Sequence, residues 1–287
     1  MEPTPIVFDA ELVRRRRIRA ASKFAEADFL LREVSERLAE RLDDLTVRFP
    51  TALALGARGG VARDVLRGRG GIQRLFQAER AAVGEIDLVA SAEALPFGSE
   101  RLDLVFAAGD LHVTNDLPGA FLQIRRALKP DGLFLGALLG PATLAPLRQA
   151  FLEAEAMLDA PTSPHISPFV DLQDAAGLLQ RAGFALPVAD SEVITVSYAD
   201  PMRLLRDLRL MGETNPLARR ARRPLRRDVL AATIARLSEL TRQPDGRRLI
   251  PFEIIFLAGW APAPTQQRPA RRGSGQISLA NALNPKP

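Results

Sequence analysis

An α/β fold built on a mostly parallel sheet is predicted by the stretch from Leu102 to Leu138 and by what surrounds it. Leu102 to Ala107 is an apolar run. A polar turn follows around Asp110, His112, Asn115 and Asp116. Leu117, Phe121, Ile124 and Leu128 then recur at helical spacing, and LKPDG (Leu128 to Gly132) stops that helix just before a second apolar run, Leu133 to Leu139. Period and breakers together read strand, helix, strand. Both strands are apolar nearly throughout, as parallel strands covered on two faces are. The same alternation runs from about residue 49 to 140, which implies right-handed crossovers in one sheet.

The other elements come in chain order. Residues 1–48 form a helical lead-in, in which Phe29, Leu30, Val34, Leu38 and Leu42 make one apolar face. Phe49 to Gly60 is a short strand running into a glycine-rich turn. Gly71 to Glu79 is a second strand ending in an acid, and Ile86 to Ala90 a third. After Gly140 come a helix (Thr143 to Leu158), a proline-bracketed loop (Ser163 to Asp171) and another helix (Leu172 to Ala182). Ser191 to Ser197 alternates as a strand does. Residues 200–245 read as a basic helical insert, and Ile250 to Trp260 is the last strand. The main domain is thus 49–261, followed by a flexible basic tail, 262–287, low in apolar residues.

Composition excludes several chemistries. The 287 residues are 47% hydrophobic, enough for a sizeable core. Cysteine is absent, which removes disulfides, thiolate metal sites and cysteine nucleophiles. Only two histidines exist, His112 and His165, and no apolar run reaches the ~18 residues of a membrane span. The N-terminus has neither a secretory apolar core nor the acid-poor composition of a transit peptide. These features lead us to expect a cytoplasmic protein, with peripheral association at the inner face of the membrane as the only membrane contact. Net charge is +5, carried almost wholly by arginine, with lysine only at 23, 129 and 286. The arginines cluster at 14–19, 219–227 and 268–272. Without aromatic residues interleaved, these clusters suit a protein surface better than nucleic acid.

The strand–helix–strand unit resembles the fourth and fifth strands of class I S-adenosylmethionine (SAM) methyltransferases. That resemblance implies a seven-stranded Rossmann-like sheet with an antiparallel last strand, and SAM as cofactor. In such folds a glycine-rich turn after the first strand lets the backbone approach the cofactor closely. An acid ending the second strand holds the ribose, and the loop after the third meets the adenine. Carried onto this chain, the cofactor set is Gly56, Ala57, Gly60, Glu79, Ser91, Ala92, Glu93 and Asp110. The chain departs from the pattern at Ala54, where an acid is usual, and at Arg58, where a glycine is usual.

A narrower resemblance covers the chain from about Phe8 to the tail. The segments from Leu95 to Gly140, SPHISPF (163–169), LMGETN (210–215) and RPARRGS (268–274) are similar to the complex I assembly factor 5 family, and beyond it to malonyl-carrier methyltransferases. The resemblance implies a role in assembling NADH:ubiquinone oxidoreductase, by modification of a protein side chain through methylation or arginine hydroxylation. The implied partner is a subunit or assembly intermediate of that complex. A degenerate fold acting as a non-catalytic chaperone is the alternative, and an RNA or small-molecule methyltransferase a third.

For methyl transfer His112 is the candidate general base, since a base helps a poor nucleophile. His165 and Phe169 are expected to line the substrate opening, because prolines on both sides stiffen their loop. Glu213 and Asn215 are expected to orient a substrate arginine, as carboxylates pair bidentately with guanidinium. An iron site would need both histidines with Asp110 or Asp116. The simpler assignment makes His112 a pocket residue and His165 a loop anchor, and no metal is expected.

Overall fold

A computed structural model describes residues 6–266, with Ser274 and Ser278. Its seven strands are β1 (Thr51–Leu55), β2 (Arg74–Glu79), β3 (Leu88–Val89), β4 (Leu102–Ala107), β5 (Leu128–Leu139), β6 (Ala185–Tyr198) and β7 (Arg248–Trp260). They stand in the order β3-β2-β1-β4-β5-β7-β6. β1 to β5 are parallel, and β7 runs antiparallel between β5 and β6. The order reverses between β1 and β4, and the crevice beyond their carboxyl ends is where ligands bind in open sheets of this kind.

Alternation along the strands builds two cores. Ala52, Ala54, Leu104, Phe106 and Leu135 face one side, where α2 (Phe29–Glu40), α3 (Val61–Leu66), α5 (Ala145–Met157) and α8 (Arg227–Thr241) pack. Leu53, Leu55, Val105, Ala107 and Phe134 face the other, under α4 (Leu117–Ala127) and α6 (Leu172–Arg181). The period-two pattern is therefore present, but both faces are covered, so it reads as an unbroken apolar run. Asp116 caps α4 by accepting from the Gly119 amide, and Pro118 sits in its first turn.

The structure corrects several boundaries. The third strand is only Leu88–Val89. LKPDG is not a plain stop: it is taken into β5 as an irregularity, with Asp131 at φ 60° and a register shift between Leu102 and Leu104. β6 is longer than its alternating centre and reaches back to Ala185. The 200–245 insert is not helical throughout. It holds α7 (Pro201–Leu210) and α8, while residues 211–226 between them form no helix. Gly212 at φ +73° ends the first helix, and Pro216 and Pro224 interrupt the chain beyond it. The lead-in is α1 (Ala10–Ala20), a 3-10 turn (Ala21–Glu26) and α2. The arginines expected at 268–272, and the tail beyond residue 266 except the two serines, lie outside the described residues.

Candidate functional site

The glycine-rich turn after β1 is shaped by contact with the chain itself. Gly56 has φ +72°, and a Cβ there would stand 2.9 Å from the Gly109 carbonyl carbon and 3.1 Å from the Asp110 Cβ. A Cβ on Gly59 would stand 2.7 Å from the Phe24 ring. The amides of Gly56 and Ala57 both donate to the Ala78 carbonyl. Gly60, at φ +74°, opens α3 with free space at its Cβ. Ala54 is fully buried in the apolar core.

Beside this turn, the acids at the strand ends hold arginines. Glu79 closes β2 and is wholly buried; Asp110 follows β4 and is 1% exposed. Arg17 of α1 reaches between them. Its Nη1 donates to Glu79 Oε1 at 2.6 Å and to Asp110 Oδ1 at 3.0 Å, and its Nη2 to the Gly109 carbonyl at 2.9 Å. Arg80 donates to Asp110 Oδ1 through Nε and to Thr114 Oγ1 at 2.9 Å through Nη2. Burial disfavours the charge on Asp110, but Arg80 and Arg17 outweigh it and hold the carboxyl at about 2. Burial likewise opposes the charge on Arg17, and Glu79 and Asp110 more than restore it.

Of the residues expected to meet an adenine, Glu93 and Ala92 join this same cluster. Glu93 accepts from the Asn115 and Asp116 amides, both at 3.0 Å, and stands 3.5 Å from Arg80. The Ala92 amide lies 3.5 Å from Asp110, and Ser91 closes a turn with Ala94.

A second centre joins the crevice to a cavity of about 760 Å³. Arg58, where the methyltransferase resemblance leads one to expect a glycine, turns its guanidinium toward the 211–226 segment. Its Nη1 donates to the Met211 carbonyl at 2.7 Å and lies 2.8 Å from Glu213 Oε1. The other oxygen of Glu213 lies 3.1 Å from His112 Nε2. Burial of Glu213 opposes ionisation, yet His112 and Arg58 hold its carboxyl well below the usual range. A His112 that donates Nε2–H to this carboxylate keeps the Nδ1 lone pair as a proton acceptor.

His112, His165, Phe169, Glu213 and Asn215 all line that one cavity, whose remaining wall is largely apolar, as at Leu147, Phe151 and Phe252. The structure thus brings the catalytic and substrate candidates together and sets the cofactor candidates beside them. Two expected contacts are already engaged within the chain. The Asn215 amide donates to the Pro164 carbonyl at 2.7 Å and so ties the two loops together. His165 stacks on Phe151 with ring centres 4.0 Å apart and meets Glu155 at 2.7 Å. The two histidines thus take different carboxylates, and among the described residues no three metal-ligating side chains converge.

Sequence reasoning missed Arg17 and Arg80. For Arg17 a signal exists: Val13, Arg17 and Ala20 are the buried residues of α1, so one arginine stands on its apolar face.

The methyltransferase domain family matches residues 72–136. The mitochondrial arginine-hydroxylase NDUFAF5 of Danio rerio is 35% identical over 96% of this chain and 89% of its own length. The Homo sapiens protein of that name is 37% identical over 95% and 82%. The malonyl-[acyl-carrier protein] O-methyltransferase of Xylella fastidiosa is 33% identical over 95% and 94%. In fold, the YcgJ protein of Bacillus subtilis superposes with a TM-score of 0.53 at 16% identity, covering 79% of this chain and 98% of that one. With the sheet order, these likenesses show that the chain belongs to the family of the NDUFAF5 arginine-hydroxylases and the malonyl-[acyl-carrier protein] O-methyltransferases, on a class I methyltransferase fold.

Proposed function

We propose that this protein modifies a protein side chain during assembly of NADH:ubiquinone oxidoreductase, with SAM held at the carboxyl edge of β1, β2 and β4. The observation that carries this reading is the His112–Glu213 pair, set between the acidic crevice and a cavity of about 760 Å³. That volume is within the range of ligand pockets. The names of the relatives supply the chemistry: arginine hydroxylation in one branch and O-methylation in the other.

The donor set fits the cofactor. Glu79 Oε2 is buried without a hydrogen-bond partner, an acceptor that a ribose hydroxyl would satisfy. Glu79, Asp110 and the turn from Gly56 to Gly60 would hold the group, with Arg17 moved from between the acids. Ser91, Ala92 and Glu93 would meet its adenine. When bound, SAM supplies an electrophilic methyl group. The chain's own residues do the rest. His112 takes a proton, and Glu213 fixes the ring and balances the imidazolium that forms. Glu213 Oε1 is 2.8 Å from Arg58 but accepts no aligned hydrogen bond from it, so a substrate guanidinium that displaced Arg58 would find an unfilled acceptor there. His165, Phe169 and Asn215 shape the opening. Hydroxylation draws its oxygen from a further co-substrate, and it too needs the side chain held still beside a proton acceptor.

The partner in this reading is an acidic surface on a complex I subunit. Arg219, Arg222, Arg223 and Arg227 are exposed, with no ion pair among the described residues, and Arg223 lies near His165 and Asn215. The work is cytoplasmic, at the inner face of the membrane; among the described residues no helix is long and apolar enough to cross it. One observation favours the non-catalytic chaperone instead: a guanidinium already fills the crevice.

Mass spectrometry of complex I subunits from a strain lacking this protein decides between them. Wild type should restore both assembly and an arginine carrying a methyl or hydroxyl group, whereas His112→Ala and Glu213→Gln should restore neither. Full assembly by both variants, with every subunit unmodified, would establish the chaperone.

A further inference from the structure

Arg17 sits where an arginine is costly. It is 3% exposed, and its charge is balanced chiefly by two equally buried acids. Removing one partner of such a cluster leaves uncompensated charge in a low-dielectric interior. The acids therefore need a cationic or hydroxyl-rich occupant at all times. The fit of Arg17 is nevertheless incomplete. It reaches Glu79 through one nitrogen only, and both its Nε and Glu79 Oε2 are buried without a partner. A vicinal diol offers one O–H to each carboxylate oxygen and would complete what the guanidinium leaves half made.

The helix that carries Arg17 is also bolted to the wall of the substrate cavity. Arg16 donates to the Thr214 and Asn215 carbonyls, which flank Glu213 on its C-terminal side. Asp9 pairs with Arg220 at 3.1 Å, and its amide donates to the Pro216 carbonyl at 2.9 Å. Phe8 bridges to Leu217. α1 thus touches the crevice through Arg17 and the cavity wall through Asp9 and Arg16.

We propose that Arg17 is an internal ligand of the cofactor crevice, displaced by the adenosyl ribose, and that its release frees α1 and with it the 213–220 segment, whose residues 213–216 line the substrate cavity. The inference rests on the reading that the crevice takes SAM. Linkage makes the coupling reciprocal: whatever opens the 213–220 segment from the cavity side also favours the cofactor.

S-adenosylhomocysteine, which has the same ribose and adenine, is the probe. Calorimetric titration should show about tenfold tighter binding to Arg17→Met and a few-fold gain for Arg17→Lys, which keeps the charge but not the fork. Arg17→Lys carries the titration if the methionine variant does not fold. Hydrogen exchange on the wild-type protein supplies a readout independent of activity. Saturating ligand should slow exchange at residues 51–60 and 74–80 and speed it at 10–20 and 213–220. Binding only to the Arg17 variants also supports the proposal, as a latch held shut. Slower exchange at 10–20, or weaker binding by Arg17→Lys, would make Arg17 part of the loaded site and overturn the latch while leaving the cofactor reading intact. No binding by any of the three proteins would overturn both.

Discussion

Arg58→Met tests whether the residue that breaks the glycine pattern has become a structural member of the site. Methionine keeps most of the stem and removes the charge. The side chain of Arg58 is 9% exposed, lies 2.8 Å from Glu213 and donates to the Met211 carbonyl at 2.7 Å. Breaking a fully buried pair costs about 3–5 kcal/mol. Here Glu213 is 20% exposed and keeps His112 at 3.1 Å, so we expect about 2–3 kcal/mol. The pH dependence gives a second signature. The Glu213 carboxyl titrates below its ordinary 4.5 in the folded protein: burial works against ionisation, and His112 and Arg58 prevail. A depressed acid contributes its full stability above its unfolded pKa and loses it as pH falls through the folded one. Losing Arg58 shrinks that depression, so the deficit of the variant should be largest at neutral pH and narrow on acidification. Urea denaturation of both proteins, followed by circular dichroism across that range, measures it. A deficit under about 0.5 kcal/mol at neutral pH, the size of an ordinary surface change, would refute the pairing.

Two further outcomes concern the crevice. Asp110, held at about 2 against an ordinary 3.8, should contribute about 2 kcal/mol that is complete above the higher value and lost as pH falls through the lower; a wild-type acid profile that Asp110→Asn reproduces unchanged would count against this. Gly56→Ala should cost at least about 2 kcal/mol, because it combines positive-φ strain with a Cβ 2.9 Å from the Gly109 backbone; a melting temperature equal to wild type would show that the two turns are not pressed together.

What the sequence revealed, and what it hid, depends on the range of the interaction. β4 and α4 were legible because their signals are local: an apolar run of strand length, then the Asp116 cap and Pro118 in the first turn. The insert reads as continuous helix because its leucines and arginines keep a helical rhythm, while Gly212 and two prolines decide the backbone. LKPDG reads as a break in sequence because the irregularity that carries it into β5 depends on pairing with β4. The place of His112 beside the cavity was within reach, since it follows the carboxyl end of β4, whereas His165, Phe169, Glu213 and Asn215 lie on loops that follow α5 and α7 and are brought there by packing. For Arg17 the sequence shows only its place on the apolar face of α1; its partners lie 62 and 93 residues away and no local pattern encodes them.

That hidden contact changes the meaning of the charge. An arginine-rich, lysine-poor chain suggests a surface made for acidic partners, and Arg219, Arg222, Arg223 and Arg227 are exposed as that proposal needs. Arg17, Arg58 and Arg80 instead point inward, each against a carboxylate: Glu79, Asp110 or Glu213. These internal charges largely cancel, so they add little to the field a partner meets outside. They also explain why arginine is needed there. The planar fork of Arg17 reaches two carboxylates and a carbonyl at once, and that of Arg58 reaches a carboxylate and a carbonyl on another segment. A lysine ammonium presents a single point charge and cannot span such pairs. Arg80→Lys should therefore keep the charge beside Asp110 yet lose the bond to Thr114, which separates the need for a cation from the need for its shape. Its stability in urea should fall between those of wild type and Arg80→Met; a value equal to wild type would show that the fork is dispensable there.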